Sequence, residues 1–190
     1  EKFNITSYIN DLRKRNTAIV KACDIDTHNT FTDAQSEGER TRVFMKVQDG
    51  CDYSCTFCTI PLARGKSRSD TISNTVNRVK IAAAGGAKEI VLTGVNLGDF
   101  GIDPSTSNRI NTFFDLVKEL DTIDADVRFR ISSIEPNLLS EEIIDFVSKS
   151  KKFVPHFHIP LQSGNDKILK QMRRRCLSDL YESRVNSIKN

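Results

Sequence analysis

From residue 41 onward, hydrophobic positions switch repeatedly between a period near two and a period near 3.6, the signatures of strand and helix. Residues 42–48 read as a strand. Residues 71–84 read as a helix with Ile72, Val76, Val79 and Ala83 on one stripe, ended by Gly85-Gly86. Residues 89–93 read as a short buried strand. Residues 112–120 form a helix that faces Phe113, Leu116, Val117 and Leu120 inward, and residues 127–133 a third strand. Ser140 is an N-cap followed by Glu141 and Glu142 in the positive first turn, and the helix it opens buries Ile143, Ile144 and Val147. Residues 155–162 read as a fourth strand. A last helix carries Leu177, Tyr181, Val185 and Ile188.

Strands that alternate with helices imply an α/β fold with a parallel sheet, built here from about four βα units. The lengths suit a partial barrel or a doubly wound sheet equally well. Two strands alternate in chemistry as well as hydropathy. His156, His158 and Gln162 share one face of the fourth strand, and Phe157, Ile159 and Leu161 the other. Arg128, Arg130 and Ser132 oppose Phe129 and Ile131 in the third. The apolar sets should pack on helices, and the polar sets should line an open or ligand-filled interior near the strand C-termini.

Residues 1–40 are different. Ile5, Tyr8, Ile9 and Leu12 suggest a short amphipathic helix, residues 18–25 a strand, and residues 26–39 a linker. This segment is too short for its own core and is expected to be the remnant of a preceding domain, with residues 41–190 an incomplete core. The chain starts at Glu1 and stops inside a helical pattern, as a fragment would. No secretory leader opens it, and no run approaches the ~20 apolar residues of a membrane span.

Composition narrows the function only a little. Of 190 residues, 28 are Lys or Arg and 25 are Asp or Glu, a net charge of +3, too small an excess to imply nucleic acid by itself. The basic residues do cluster, in Arg13-Lys14-Arg15, Arg64-Gly65-Lys66-Ser67-Arg68, residues 149–152 and Arg173-Arg174-Arg175. Each run has the plain reading of a solvated face. The 5 Cys are an odd number without a secretory leader, which argues for reduced thiols used as ligands rather than a disulfide framework.

Chemistry concentrates in Gly50-Cys51-Asp52-Tyr53-Ser54-Cys55-Thr56-Phe57-Cys58, directly after the first strand. A structural zinc site takes four ligands, usually in paired knuckles. Three thiolates from one tight loop instead suit a cubane iron–sulfur cluster with one iron left open. The alternatives are a zinc site completed by His28, His156 or His158, and free core thiols. Cys23 and Cys176 are remote from the loop and carry no assigned role.

The Cys-x3-Cys-x2-Cys loop, with an aromatic residue before its third Cys, resembles that of the radical S-adenosylmethionine (SAM) superfamily. The run from Val47-Gln48-Asp49-Gly50-Cys51 through Arg64-Gly65-Lys66-Ser67-Arg68-Ser69 is similar to that of its methylthiotransferases. So are Lys88-Glu89-Ile90-Val91-Leu92-Thr93-Gly94-Val95-Asn96, Arg130-Ile131-Ser132-Ser133-Ile134-Glu135-Pro136 and His156-Phe157-His158-Ile159-Pro160-Leu161-Gln162-Ser163-Gly164. Arg130-Ile131-Ser132-Ser133-Ile134-Glu135 and Met172-Arg173-Arg174-Arg175 most resemble the branch acting on threonylcarbamoyladenosine in tRNA. The other branches act on isopentenyladenosine in tRNA and on a ribosomal protein.

The resemblance implies a partial (β/α) barrel of radical SAM type, and Cys51, Cys55 and Cys58 as ligands of a [4Fe–4S] cluster that binds SAM. It implies reductive cleavage of SAM, hydrogen abstraction at C2 of the adenine by a 5′-deoxyadenosyl radical, sulfur insertion there, and methylation by a second SAM. Phe57 would lean on the cofactor's adenine. Thr93 and Gly94 would accept the methionyl ammonium, Ser133 and Glu135 would bind its ribose or ammonium, and Gln162 would contact the ligand. Arg64, Lys66, Arg68, Arg173, Arg174 and Arg175 would grip phosphates of a tRNA anticodon loop, with one charged surface as the competing reading. A cytoplasmic enzyme, an electron donor and a second [4Fe–4S] cluster on an N-terminal domain outside these residues are also implied. On that basis the 190 residues alone are expected to be inactive. A colourless, non-catalytic zinc module is the alternative from another class.

Overall fold

The computed structural model describes residues 2–9, 17–18, 20, 22, 24–36 and 41–189. Leu12, the Arg13-Lys14-Arg15 cluster and Cys23 lie outside the described residues. The central strand is β5 (Glu89–Thr93), flanked in parallel by β2 (Arg42–Lys46) and β6 (Arg128–Ile131). Ile90 and Leu92 of β5 are fully buried beside Met45 of β2 and Phe129 and Ile131 of β6. A short edge strand, β1 (Ala34–Gln35), pairs antiparallel with β2.

Helices cover the apolar face. They are α2 (Ile72–Ala84), α3 (Phe113–Asp121) and α4 (Glu141–Lys149), which add Val79, Leu116, Val117, Leu120, Ile143, Ile144 and Val147 to the core. Each starts at a side-chain cap. The Thr71 hydroxyl accepts from the Asn74 N–H, Thr112 and Asp115 form a reciprocal capping box, and the Ser140 hydroxyl accepts from the Ile143 N–H. Later come α5 (Asp166–Gln171) and α6 (Ser178–Lys189), the latter packed on α4. The opposite, polar face of the sheet is open enough that Phe44 remains 49% exposed. There the buried Glu89 carboxylate of β5 joins Arg42, Arg128 and Arg130 of both neighbouring strands. The architecture is an α/β wall of a partial barrel.

The expected fourth strand is not a strand. Residues 155–162 touch the sheet region through one isolated parallel bridge, Ser133 with His158, and a second bridge, Phe129 with Phe153, lies just before the segment. Pro155 and Pro160 bring no N–H to a ladder, and Gln162 turns the backbone at φ +76°. The facing follows the alternation through residue 159: Phe157 and Ile159 pack on the core, while His156, His158 and Gln162 are exposed. Leu161, expected with the apolar set, is only half-buried and does not join the core. Near the N-terminus, Lys2–Tyr8 forms a 3-10 helix. The described residues of 18–25 form no strand, and the expected linker supplies β1.

Candidate cluster and cofactor site

The cysteine loop is closed at its neck. Strand β3 (Gln48–Asp49) pairs antiparallel with β4 (Arg68–Ser69), so the loop and the short α1 (Ile60–Arg64) form one excursion from the end of β2. Gly50 sits at φ +70°, where a Cβ would stand 2.0 Å from the Lys66 carbonyl oxygen, so only glycine fits this close approach. The Cys51 N–H donates to the Gly65 carbonyl at 3.1 Å, and the Ser67 N–H to Asp52 Oδ1 at 2.9 Å. Asp49 is buried and paired with Lys46, Arg64 and Arg68. Burial pushes its carboxyl up, but the Arg64 and Gly50 hydrogen bonds and the Lys46 and Arg68 charges outweigh it and hold the pKa below the usual value.

All three loop thiols are free: Cys55 is buried, Cys51 and Cys58 half-buried, and the Cys58 N–H donates to the Cys55 carbonyl at 3.1 Å. Burial pushes the Cys51 thiol up to about 11. Among the described residues no three His, Cys, Asp or Glu side chains converge on a single metal ion. Three free thiols presented by one turn fit a four-iron cluster, in which each thiolate binds a different iron and the donors need not meet at one point.

A fully buried amide joins the loop to the end of β5. Gln48 Nε2 donates to the carbonyls of Asp49 (3.0 Å) and Gly50 (2.8 Å) and to Ser67 Oγ (2.9 Å). Its Oε1 accepts from the Val95 and Asn96 N–H groups at 2.8 and 2.9 Å. Gly94 passes so near that a Cβ would lie 2.8 Å from that oxygen. Asn96 extends the chain of bonds: its Nδ2 donates to Asp99 and its Oδ1 accepts the Glu135 N–H beyond β6. Burial pushes the Asp99 carboxyl up to about 6. Tyr53 of the loop meets the Asn137 amide, 2.8 Å from Nδ2. The loops after β2, β5 and β6 are thus one hydrogen-bonded assembly at the C-terminal ends of the parallel strands.

The end of α5 closes the outer side. The Thr56 N–H donates to the Met172 carbonyl at 3.2 Å, and the Arg175 guanidinium lies 4.1 Å over the Tyr53 ring. Arg174 turns inward, donating to Glu135, to the Pro160 carbonyl and to Cys55 Sγ. Burial works against its charge, but the Glu135 carboxylate outweighs burial and raises the Arg174 pKa.

The expected site residues divide accordingly. Thr93 and Gly94 lie at the C-terminal end of β5, and Ser133 and Glu135 just beyond β6. The Glu135 carboxylate, however, is engaged by Arg174, and the Thr93 carbonyl already accepts the Val47 N–H. Phe57 is 50% exposed on the loop's surface, and Gln162 is exposed. Lys66, Arg173 and Arg175 are exposed, and Arg64 is exposed while paired with Asp49. Arg68 and Arg174 do not face solvent as phosphate contacts would. Arg68 is consumed by Asp49 and the carbonyls of Thr30, Arg64 and Lys66, and Arg174 by Glu135 and Pro160. Sequence reasoning missed Gln48, Tyr53, Asn96 and Asn137 as structural members of the site. Their position at strand C-termini was the available signal.

A model of the radical SAM superfamily matches residues 45–189, and the chain belongs to that superfamily. Among solved structures, the fold matches the radical SAM methyltransferase TsrM from Kitasatospora setae with tryptophan and a SAM analogue bound. The TM-score is 0.60 at 16% identity, over 77% of this chain and 28% of that one. Among its relatives are tRNA methylthiotransferases. The chain is 36% identical to the threonylcarbamoyladenosine tRNA methylthiotransferase MtaB of Bacillus subtilis, over 100% of this chain and 42% of that protein. It is 43% identical to MtaB of Rickettsia prowazekii, over 72% of this chain and 32% of that protein. It is 31% identical to the tRNA-2-methylthio-N(6)-dimethylallyladenosine synthase of Clostridium botulinum, over 98% of this chain and 41% of that protein. The chain therefore spans less than half the length of these relatives.

Proposed function

We propose that the protein of which these residues are a part is a radical SAM methylthiotransferase acting at C2 of N6-threonylcarbamoyladenosine next to the anticodon of tRNA. The observation that carries the enzyme class is the three-thiol turn, held by Gly50 and Gln48 at the ends of three parallel strands. The substrate is supported by the MtaB relatives.

Cys51, Cys55 and Cys58 would hold a [4Fe–4S] cluster, which with SAM bound supplies the electron that breaks the sulfonium C–S bond. The protein's part is position and exclusion of water. Gln48 and Asn96 hold the Thr93-Gly94 turn against the thiol loop, where the Thr93 hydroxyl and the Gly94 carbonyl, rather than the Thr93 carbonyl already bonded to the Val47 N–H, would accept the methionyl ammonium. Ser133 takes the ribose, Gln162 contacts the ligand, and Phe57 leans on the adenine. Glu135 acts through Arg174 rather than by direct contact. Exposed Lys66, Arg173 and Arg175, with Arg64 beside them, meet RNA phosphates at the site mouth.

Residues 41–190 make up the radical SAM core and residues 1–40 the end of a preceding domain, which in the whole protein carries a second cluster. The enzyme works in the cytoplasm with an external electron donor. Mass spectrometry of tRNA nucleosides from cells lacking the gene tests the substrate. Loss of the methylthio form of threonylcarbamoyladenosine is expected. Loss of only the isopentenyladenosine product, or of only a ribosomal-protein modification, would overturn the substrate assignment.

A further inference from the structure

Arg173-Arg174-Arg175 reads as three equivalent cations, but the backbone separates them. Helix α5 ends in a Schellman turn: Arg173 adopts φ +55°, its N–H donates to the Lys170 carbonyl, and the Arg174 N–H donates to the Leu169 carbonyl, both at 3.0 Å. The turn sends Arg173 to solvent and drives Arg174 into the site, where its side chain is only 3% exposed. There Nη1 lies 3.1 Å from Glu135 Oε1 and 3.7 Å from Cys55 Sγ. Nη2 donates to the second Glu135 oxygen and to the Pro160 carbonyl, and the buried Nε has no partner. Glu135 is itself 14% exposed and held by Asn96 through its N–H.

We propose that Arg174 is a positioning residue that sets the reduction potential of the iron–sulfur cluster through Cys55, with Glu135 fixing its guanidinium and partly cancelling its charge. This rests on the assignment of the three thiols as cluster ligands. An added electron makes a cluster more negative, so a cation and an N–H donor beside a ligating sulfur favour the reduced form. A carboxylate paired with that cation works in the opposite sense. The pair thus poises the cluster between two opposing charges.

The test is a potentiometric titration on anaerobically loaded full-length protein, followed by the part of the reduced-cluster EPR signal that Cys55→Ala abolishes, so that a second cluster elsewhere in the protein does not enter. With Arg174→Gln, the ratio of reduced to oxidised cluster at a fixed potential should fall at least tenfold, which is 59 mV for a one-electron couple. Arg174→Lys should recover part of the shift. Glu135→Gln should move the potential the other way, and it decides the matter if Arg174→Gln loads too little iron to titrate. Shifts under twofold in both Arg174→Gln and Glu135→Gln would overturn the proposal. So would an unchanged potential with weakened SAM binding, which would give the guanidinium to the cofactor's carboxylate. Iron retained after Cys55→Ala would instead refute the ligand assignment beneath it.

Discussion

Replacing Gln48 with leucine tests whether the site is one assembly or a set of separate loops. The side chain is fully buried and makes five hydrogen bonds, three as donor and two as acceptor. Leucine fills nearly the same space but accepts and donates nothing. The Val95 and Asn96 N–H groups lose their acceptor, and a buried orphan donor costs about 1–3 kcal/mol. The abandoned carbonyls of Asp49 and Gly50 cost less, because under-satisfied carbonyls are better tolerated than orphaned N–H groups. Asn96 is buried and Val95 only half-buried, which places the expected loss at about 3–5 kcal/mol. For a domain of this size that corresponds to a melting temperature lower by roughly 6–20 °C. Denaturant unfolding of iron-free protein should show a lower midpoint with an unchanged slope, and the variant should load less iron. Gln162→Leu, on an exposed turn, should stay within about 0.5 kcal/mol of the parent. A Gln48→Leu protein as stable as that control, with full iron loading, would refute the reasoning.

Two further outcomes follow from the charges. Burial pushes the Glu89 carboxyl up, but Arg130, Arg128 and Arg42 outweigh it, so its folded pKa lies below the unfolded value. Its contribution is then complete above the unfolded pKa of about 4.3 and is lost as pH falls through the folded one. Glu89→Gln should therefore destabilise at neutral pH and flatten the acid limb of the stability curve, as read by unfolding midpoints between pH 7 and pH 3. On the RNA side, Arg173→Ala and Arg175→Ala should each reduce the slope of log affinity against log salt by about 0.7. Arg68→Ala should instead lower the unfolding midpoint, and a slope change with unaltered stability would return Arg68 to the phosphate contacts.

Legibility followed the range of the interactions. Helices α2, α3 and α4 stood out because their apolar stripes and caps are local, and β5 because a run buried on both faces is continuous. Alternation predicted which side of residues 128–132 meets the core, and of residues 155–162 as far as Ile159. It could not report that Pro155 and Pro160 withhold ladder donors from the second segment. The two-residue strands β1, β3 and β4 and the six-residue α5 are too short to carry a period. The three thiols were legible as a set because they share one turn. Gln48 was not, since its acceptor bonds span 47 and 48 residues of chain. Arg174 cannot be told from Arg173 and Arg175 by composition; the turn after α5 separates them.

The claim on which the rest depends is that residues 51–58 hold an iron–sulfur cluster. Anaerobic reconstitution of the full-length protein with iron and sulfide, followed by iron analysis and visible absorbance, tests it most directly on the parent and on Cys51→Ala, Cys55→Ala, Cys58→Ala and Cys176→Ala. Any further cluster held elsewhere in that protein is common to all five samples and drops out of the differences. Each of the first three variants should lose about four irons per chain and the matching absorbance, and Cys176→Ala, whose thiol instead meets the Leu177 carbonyl, should lose neither. A Cys55→Ala protein that keeps its full iron and colour, or a parent whose three loop thiols bind only zinc, would contradict the account.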